Sequence, residues 1–318
     1  MRMKTSELLN KINPVYMPDS GDCFCAIMRV LFQYYGIKYF NRIYEKCNSV
    51  ELNEPISISE DISLNQLIEW KYIDYGALYK LYYNIDFILF DRNVQIVRKY
   101  LSEEHPVLIG TKSNMCPWRK NDYTMNHSCL ILDYEEQKGA VCIDPVFTDK
   151  LVLYPEKNLL NDVTVLSVLD VADIRYADPF PLSYSINEYL ENSRHSLDVM
   201  KKIYLLMKSS IDENFVNTSN VEKYFFDSTN SFYINKRHLK IMNYFKYLKE
   251  VHNISQLDKS IDLYEANFTN TMNLHSMLTK YELSNNPKIL HRYIEIIETC
   301  NKNEEISYQI IRNYQLFS

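Results

Sequence analysis

Residues 22–36 read Asp-Cys-Phe-Cys-Ala-Ile-Met-Arg-Val-Leu-Phe-Gln-Tyr-Tyr-Gly. After Asp22 only Arg29 and Gln33 are clearly polar, and they lie four apart, on one stripe of a helix. A helix that is apolar over the rest of its circumference must be covered, so the segment predicts a central helix. Ser20 caps its start in this reading and Gly36 stops it. Cys23 then falls in the first turn, where the positive end of the helix dipole favours a thiolate. That is one way to build a nucleophile. Cys25, about 200° further round the helix, points to the core and is the alternative sulfur.

The 318 residues, 46% hydrophobic, suffice for two domains of ordinary size. Residues 1–12 read as a short amphipathic helix, 36–47 as a second helical piece, and Leu64–Trp70 and 93–103 as further helices. From Pro106 the period changes to strands: 107–111, 128–134, 140–144, 151–154 and 163–171. After Pro179 and Pro181 it turns helical again over Ser185–Ser210, Asn235–Val251, Ile254–Glu282 and Lys288–Phe317. Ser219–Glu222 and Ser255–Asp258 fit capping boxes. The expected class is α+β, with a first domain over 1–175, its central helix on an antiparallel sheet, and a helical domain over 176–318.

His127 opens one predicted strand and Asp144 closes the next, with the polar turn Glu135-Glu136-Gln137-Lys138-Gly139 between them. A hairpin centred between residues 135 and 136 sets the two opposite each other at its open end. An imidazole beside a carboxylate is a base with its orienter, the pair a thiol nucleophile needs. Cys23, His127 and Asp144 are therefore the candidate catalytic residues.

Net charge is −6 and the pI about 5.7, which disfavours general nucleic-acid binding. No apolar run is long enough to span a bilayer, and the first residues lack the apolar core of a signal peptide. A cytoplasmic protein is expected. The seven cysteines, 23, 25, 47, 116, 129, 142 and 300, show no disulfide framework. Cys23-Phe24-Cys25 has no second Cys/His pair at zinc-site spacing, so no metal is expected.

Asp22-Cys23, the glycine thirteen residues after that cysteine behind Tyr34-Tyr35, and His127 with Asp144-Pro145 seventeen residues on resemble the papain-like cysteine peptidases that trim double-glycine leader peptides. They also resemble the related N-terminal domain of butirosin-type acyltransferases. The resemblance covers roughly residues 15–150. It implies a papain-like fold, with Cys23 as nucleophile, His127 as base and Asp144 as orienting acid. Two positions depart from the pattern. Met17 stands where the leader peptidases carry a glutamine for the oxyanion hole, and a thioether donates no hydrogen bond. Phe24 replaces the glycine after the cysteine, narrowing or drying the site. Losing one oxyanion donor costs about 10²–10³ in rate, which disfavours unactivated peptide bonds and suits thioesters.

The implied function is acyl transfer from the phosphopantetheine thioester of an acyl or peptidyl carrier protein, through a Cys23 acyl-enzyme, to a small amine. The resulting amide belongs to antibiotic-type natural-product assembly. No separate cofactor is implied. The alternatives are a free-standing cysteine peptidase or amidase, and a silent papain-like module that binds a carrier or peptide. The loop over 113–126 carries Trp118 and Arg119, which line a cleft or cover a pantetheine arm in this reading. Lys236-Arg237-His238 with Lys240, Lys246 and Lys249 form a candidate docking face for an acidic carrier.

Overall fold

A computed structural model of the chain describes residues 7–17, 22–46, 50–53, 58–59, 62–70, 74–119 and 126–315. In chain order the elements are α1 (Leu8–Lys11), α2 (Cys23–Tyr34), β1 (Val50–Leu52), α3 (Leu64–Leu67), β2 (Ile68–Trp70), α4 (Tyr75–Tyr83), β3 (Asp86–Leu89) and α5 (Val94–Ser102). There follow β4 (Val107–Lys112), β5 (Asn126–Glu135), β6 (Gly139–Ile143), β7 (Val152–Pro155), α6 (Glu156–Asn161) and β8 (Val165–Asp170). The rest is helical: α7 (Leu182–Asp212), α8 (Val221–Tyr224), α9 (Ser228–His252), α10 (Leu257–Thr271), α11 (Leu274–Ser284) and α12 (Pro287–Gln315). The chain is thus α+β with antiparallel sheets and a helical C-terminal region.

Two compact units emerge, Met1–Phe40 with Asp74–Asp178, and Asn41–Ile73 with Pro179–Ser318. Residues 41–73 therefore group with the helices, whereas the sequence reading keeps them in a domain ending at 175. Their apolar side chains explain it: Val50, Leu64 and Ile68 bury into one core with Met200, Ile203, Phe225 and Tyr293. β1 and β2 pair as a short antiparallel ribbon there, and the helix expected over 64–70 stops at Leu67 where β2 begins.

In the first unit a six-stranded antiparallel sheet runs in the order β3-β8-β4-β5-β6-β7. α2 packs on β5, with Cys25, Ala26, Ile27 and Met28 fully buried, as an apolar helix requires. Asp22 is its N-cap, its carboxylate accepting from the Cys25 N–H at 2.8 Å; Ser20 lies outside the described residues. The β5–β6 turn is tight at Gly139 (φ +129°), where an added Cβ would stand 2.2 Å from the Tyr154 carbonyl oxygen. The second helical piece expected over 36–47 is a 3-10 stretch, Phe40–Lys46.

In the second unit the helix expected over 254–282 is two, α10 and α11. Neither expected capping box forms: the caps of α8 and α10 are Asn220 and Gln256, whose side chains accept from no N–H of the helix they start. A box does form at Ser63 and Gln66. Two residues of the expected docking face lie in the core instead. Arg237 and His238 are buried, with Arg237 bonded to both carboxylate oxygens of Glu304 at 2.5 and 2.8 Å and His238 Nε2 2.9 Å from Oε1. Lys249 pairs with Asp258. Among the described residues no helix is long and apolar enough to cross a membrane.

Candidate active site

β5 sets the geometry. Successive side chains of a strand alternate faces, and His127 and Cys129 are buried while Asn126 is exposed. Between β5 and β6, Leu130 stands opposite Ile143 and Ile131 opposite Cys142, with an irregularity before Asp133. Continued one step, this register sets Asp144 across from Cys129, not from His127 as a hairpin centred between 135 and 136 requires. The reason is the three-residue turn 136–138 and the irregularity. An offset of two residues keeps a side chain on the same face, so the pair still meets diagonally. His127 Nε2 lies 2.8 Å from Asp144 Oδ2, and the two are 3% and 0% exposed.

Asp144 is held through one carboxylate oxygen and through its backbone. The Trp118 Nε1–H donates to Asp144 Oδ2 at 2.7 Å. The Phe147 and Thr148 N–H groups donate to the Asp144 carbonyl at 3.1 and 3.0 Å, making a tight turn after β6. The Met17 N–H donates to Pro145 O at 2.7 Å, so the position of the expected oxyanion donor does adjoin this turn. Asp144 Oδ1 is buried and has no hydrogen-bond partner among the described residues. An indole is donor only, so Oδ2 accepts from Trp118. In the neutral tautomer whose Nε2–H donates to Oδ2, Nδ1 is the nitrogen able to accept a proton.

Cys23, at the first position of α2, is partly buried, and its Sγ lies 4.0 Å from Asn126 O, the carbonyl that leads into His127. Ser128, on the other side of His127, acts on the sulfur in the direction that favours its ionised form. The nucleophile candidate thus sits against residues 126 and 128 at the start of the strand that carries the base candidate. Its thiol is not the thiolate that the helix dipole alone implies. Burial, then the neighbouring Asp22 charge, push it up to about 12, against the weaker lowering effect of Ser128. The acidic cap that starts the helix is the same group that opposes ionisation. Alkylation of Cys23 by iodoacetamide is therefore expected to be slow near pH 7 and to climb about tenfold per pH unit to about pH 10, as mapped by peptide mass spectrometry. A rate already level below about pH 7 would reveal a resident thiolate and overturn this.

Cys25 is 0% exposed and faces the core. Phe24 packs with Tyr75, Tyr79 and Phe87, its ring centroid 5.7–6.1 Å from theirs, so it fixes the first turn of α2 in an aromatic cluster.

Three features of the site escaped the sequence reading. The Phe147 ring lies 5.1 Å from the His127 ring, and the Arg119 guanidinium lies over that phenyl ring, 3.9 Å from its centroid. Trp118 and Arg119 were marked as loop residues beside the histidine, but not the indole bond to Asp144. Cys116 and Cys129 also gather here: their sulfurs and a His127 ring nitrogen all lie within 4.8 Å of one another. The spacing His127-Ser128-Cys129 on a strand puts both ligand-type side chains on one face, and that pattern was available in the sequence. Set against protein-family models and against curated proteins, the chain matches none of them.

Proposed function

We propose that this chain is a papain-like, cysteine-dependent acyltransferase. Its expected donor is an acyl or peptidyl thioester on the phosphopantetheine of a carrier protein, and its acceptor a small amine. The observation that carries the reading is the buried His127–Asp144 pair, at 2.8 Å, at the start of the strand against which the Cys23 sulfur rests. A thiol held up near 12 needs a base as it reacts, and a bare Nδ1 held in place by Asp144 is such a base.

The Cys23 sulfur attacks the thioester carbonyl while its proton passes to His127 Nδ1. The tetrahedral oxyanion collapses, the C–S bond to pantetheine breaks, and the leaving thiolate takes that proton. An amine then attacks the acyl-enzyme, its N–H proton passing to His127. The amide departs as the Cys23 sulfur recovers the proton. Asp144 stabilises the transient imidazolium. The Cys23 N–H, at the first position of α2, is the available oxyanion donor, since the Met17 side chain offers none and the Cys25 N–H is held by Asp22. An activated thioester tolerates this modest hole better than an amide does.

Mass spectrometry tests the reading. Incubated with acyl-pantetheine or an acyl-loaded carrier protein, the protein is expected to gain one acyl group. Cys23→Ala abolishes the adduct and Cys25→Ala keeps it. Added amine discharges it as an amide. Discharge to water alone, or cleavage of peptides without acylation of any amine, turns the assignment to a peptidase or amidase. Absence of any adduct on the intact protein overturns both.

A further inference from the structure

We propose that Cys116, Cys129 and His127 form a three-ligand binding site for a thiophilic divalent cation, Zn²⁺ foremost, and that its occupation silences the base. The three groups come from two places: Cys116 after the 3-10 turn Ser113–Met115, and His127 and Cys129 on one face of β5. The two sulfurs and the imidazole nitrogen already lie within 4.8 Å of one another. Asp144 Oδ2, 4.0 Å from Cys129 Sγ and 2.8 Å from His127 Nε2, lies beside the three ligands. Tetrahedral zinc with about 2.3 Å to sulfur and about 2.0 Å to nitrogen sets its ligands roughly 3.5–3.8 Å apart. A contraction of about an ångström closes the site.

Beside the cluster, Asp144 Oδ1 is a fully buried carboxylate oxygen without a donor among the described residues, an arrangement that costs stability and that a nearby positive charge relieves. Two thiols and an imidazole select zinc or a similar soft ion over Mg²⁺ or Ca²⁺, which require oxygen ligands. The Trp118 N–H, on Asp144 Oδ2, supplies outer support.

Charge and protons balance. Cys116 and Cys129 release one proton each to solvent as the S–metal bonds form. The dipositive ion replaces those two protons, so the net charge of the site does not change. His127 stays neutral and binds through one ring nitrogen. If that is Nδ1, the metal takes the lone pair of the base; if it is Nε2, the proton moves to Nδ1, and in either case Nδ1 no longer accepts a proton. This silencing rests on the acyl-transfer reading; the metal site does not.

The test uses metal-free full-length protein titrated with Co²⁺, then Zn²⁺. Expected are intense tetrahedral d–d bands with thiolate-to-cobalt charge transfer, and one Zn²⁺ per chain by elemental analysis. Cys116→Ser and Cys129→Ser are expected to lose affinity by at least about a hundredfold. Cys142→Ser, Cys300→Ser and Cys23→Ala should keep the bands. Circular dichroism and metal-dependent melting of the intact chain guard against a variant that fails to fold. Absence of a charge-transfer band in the intact protein, or its survival in both ligand variants, overturns the site. Loss of the band in Cys23→Ala also overturns it, by putting the metal on the nucleophile. Acyl loading of Cys23 should stop with Zn²⁺ and resume with chelator. Loading unaffected by bound zinc overturns the silencing. Zinc bound with no acylation in either state sustains the site and overturns both the acyl-transfer reading and the silencing.

Discussion

Glu304→Ala is expected to cost the helical unit about 3–5 kcal/mol, enough to unfold it or leave it marginal. Arg237 and Glu304 share two hydrogen bonds, at 2.5 and 2.8 Å, with side chains only 3% and 1% exposed. His238, wholly buried, adds a third contact at 2.9 Å. Removing the carboxylate leaves a guanidinium in the core with no counter-charge, the costly half of a buried pair. Arg237→Met combined with Glu304→Leu removes both charges and is expected to recover most of the loss. Urea unfolding followed by circular dichroism decides. A loss below about 1 kcal/mol in the single variant would mean the pair does not hold the bundle together.

Acid should reproduce the single variant's effect. Burial opposes ionisation of Glu304, but the Arg237 charge and the bonds from His238 and Arg237 outweigh it, holding the carboxyl at about 2. A folded value below the unfolded one, about 4.3, gives stability that is fully present above that value. It is lost as pH falls from about 4 toward about 2. Burial also lowers His238, so protonating it costs stability as pH falls below about 6.5, in the same direction.

That pair marks a limit of reading from sequence. Lys236-Arg237-His238 looks like one basic strip, yet helical spacing puts adjacent residues on different faces, and the partner Glu304 is 66 positions away. Only the assembled bundle brings a carboxylate to it. Elements whose pattern is local were legible. α2, α5, β4, β5, β6 and β8 fall within a few residues of their expected bounds, because apolar period and turn residues determine them. β1 and β3 were not, being three and four residues long with no clear alternation. The grouping of 41–73 with the helices is a long-range fact with no local trace. At the site, residue types on a hairpin sufficed to pair His127 with Asp144, although the register was off by two residues. The indole of Trp118, the Phe147 ring and the Cys116 sulfur meet that pair through loops, whose paths periodicity does not encode.

Asp144→Ala is expected to slow acylation of Cys23 by about 10⁴, the largest functional effect after loss of the sulfur itself. Two functions of one oxygen are removed. Oδ2 takes the His127 Nε2 proton, which fixes Nδ1 as the base, and its charge stabilises the imidazolium as it forms. Without it the tautomer is free, and the Trp118 N–H loses its acceptor as well. Asp144→Asn separates the two functions. An amide oxygen in the place of Oδ2 still accepts from both donors, so the tautomer survives while the charge is lost, and a smaller deficit of about 10² is expected. Single-turnover acylation by a pantetheine thioester, followed by mass spectrometry, gives the three rates, and thermal melts check that each variant is folded. The order Asp, Asn, Ala is the signature of a carboxylate acting through the imidazole. Wild-type acylation by a folded Asp144→Ala protein would instead make this residue a packing partner of Trp118.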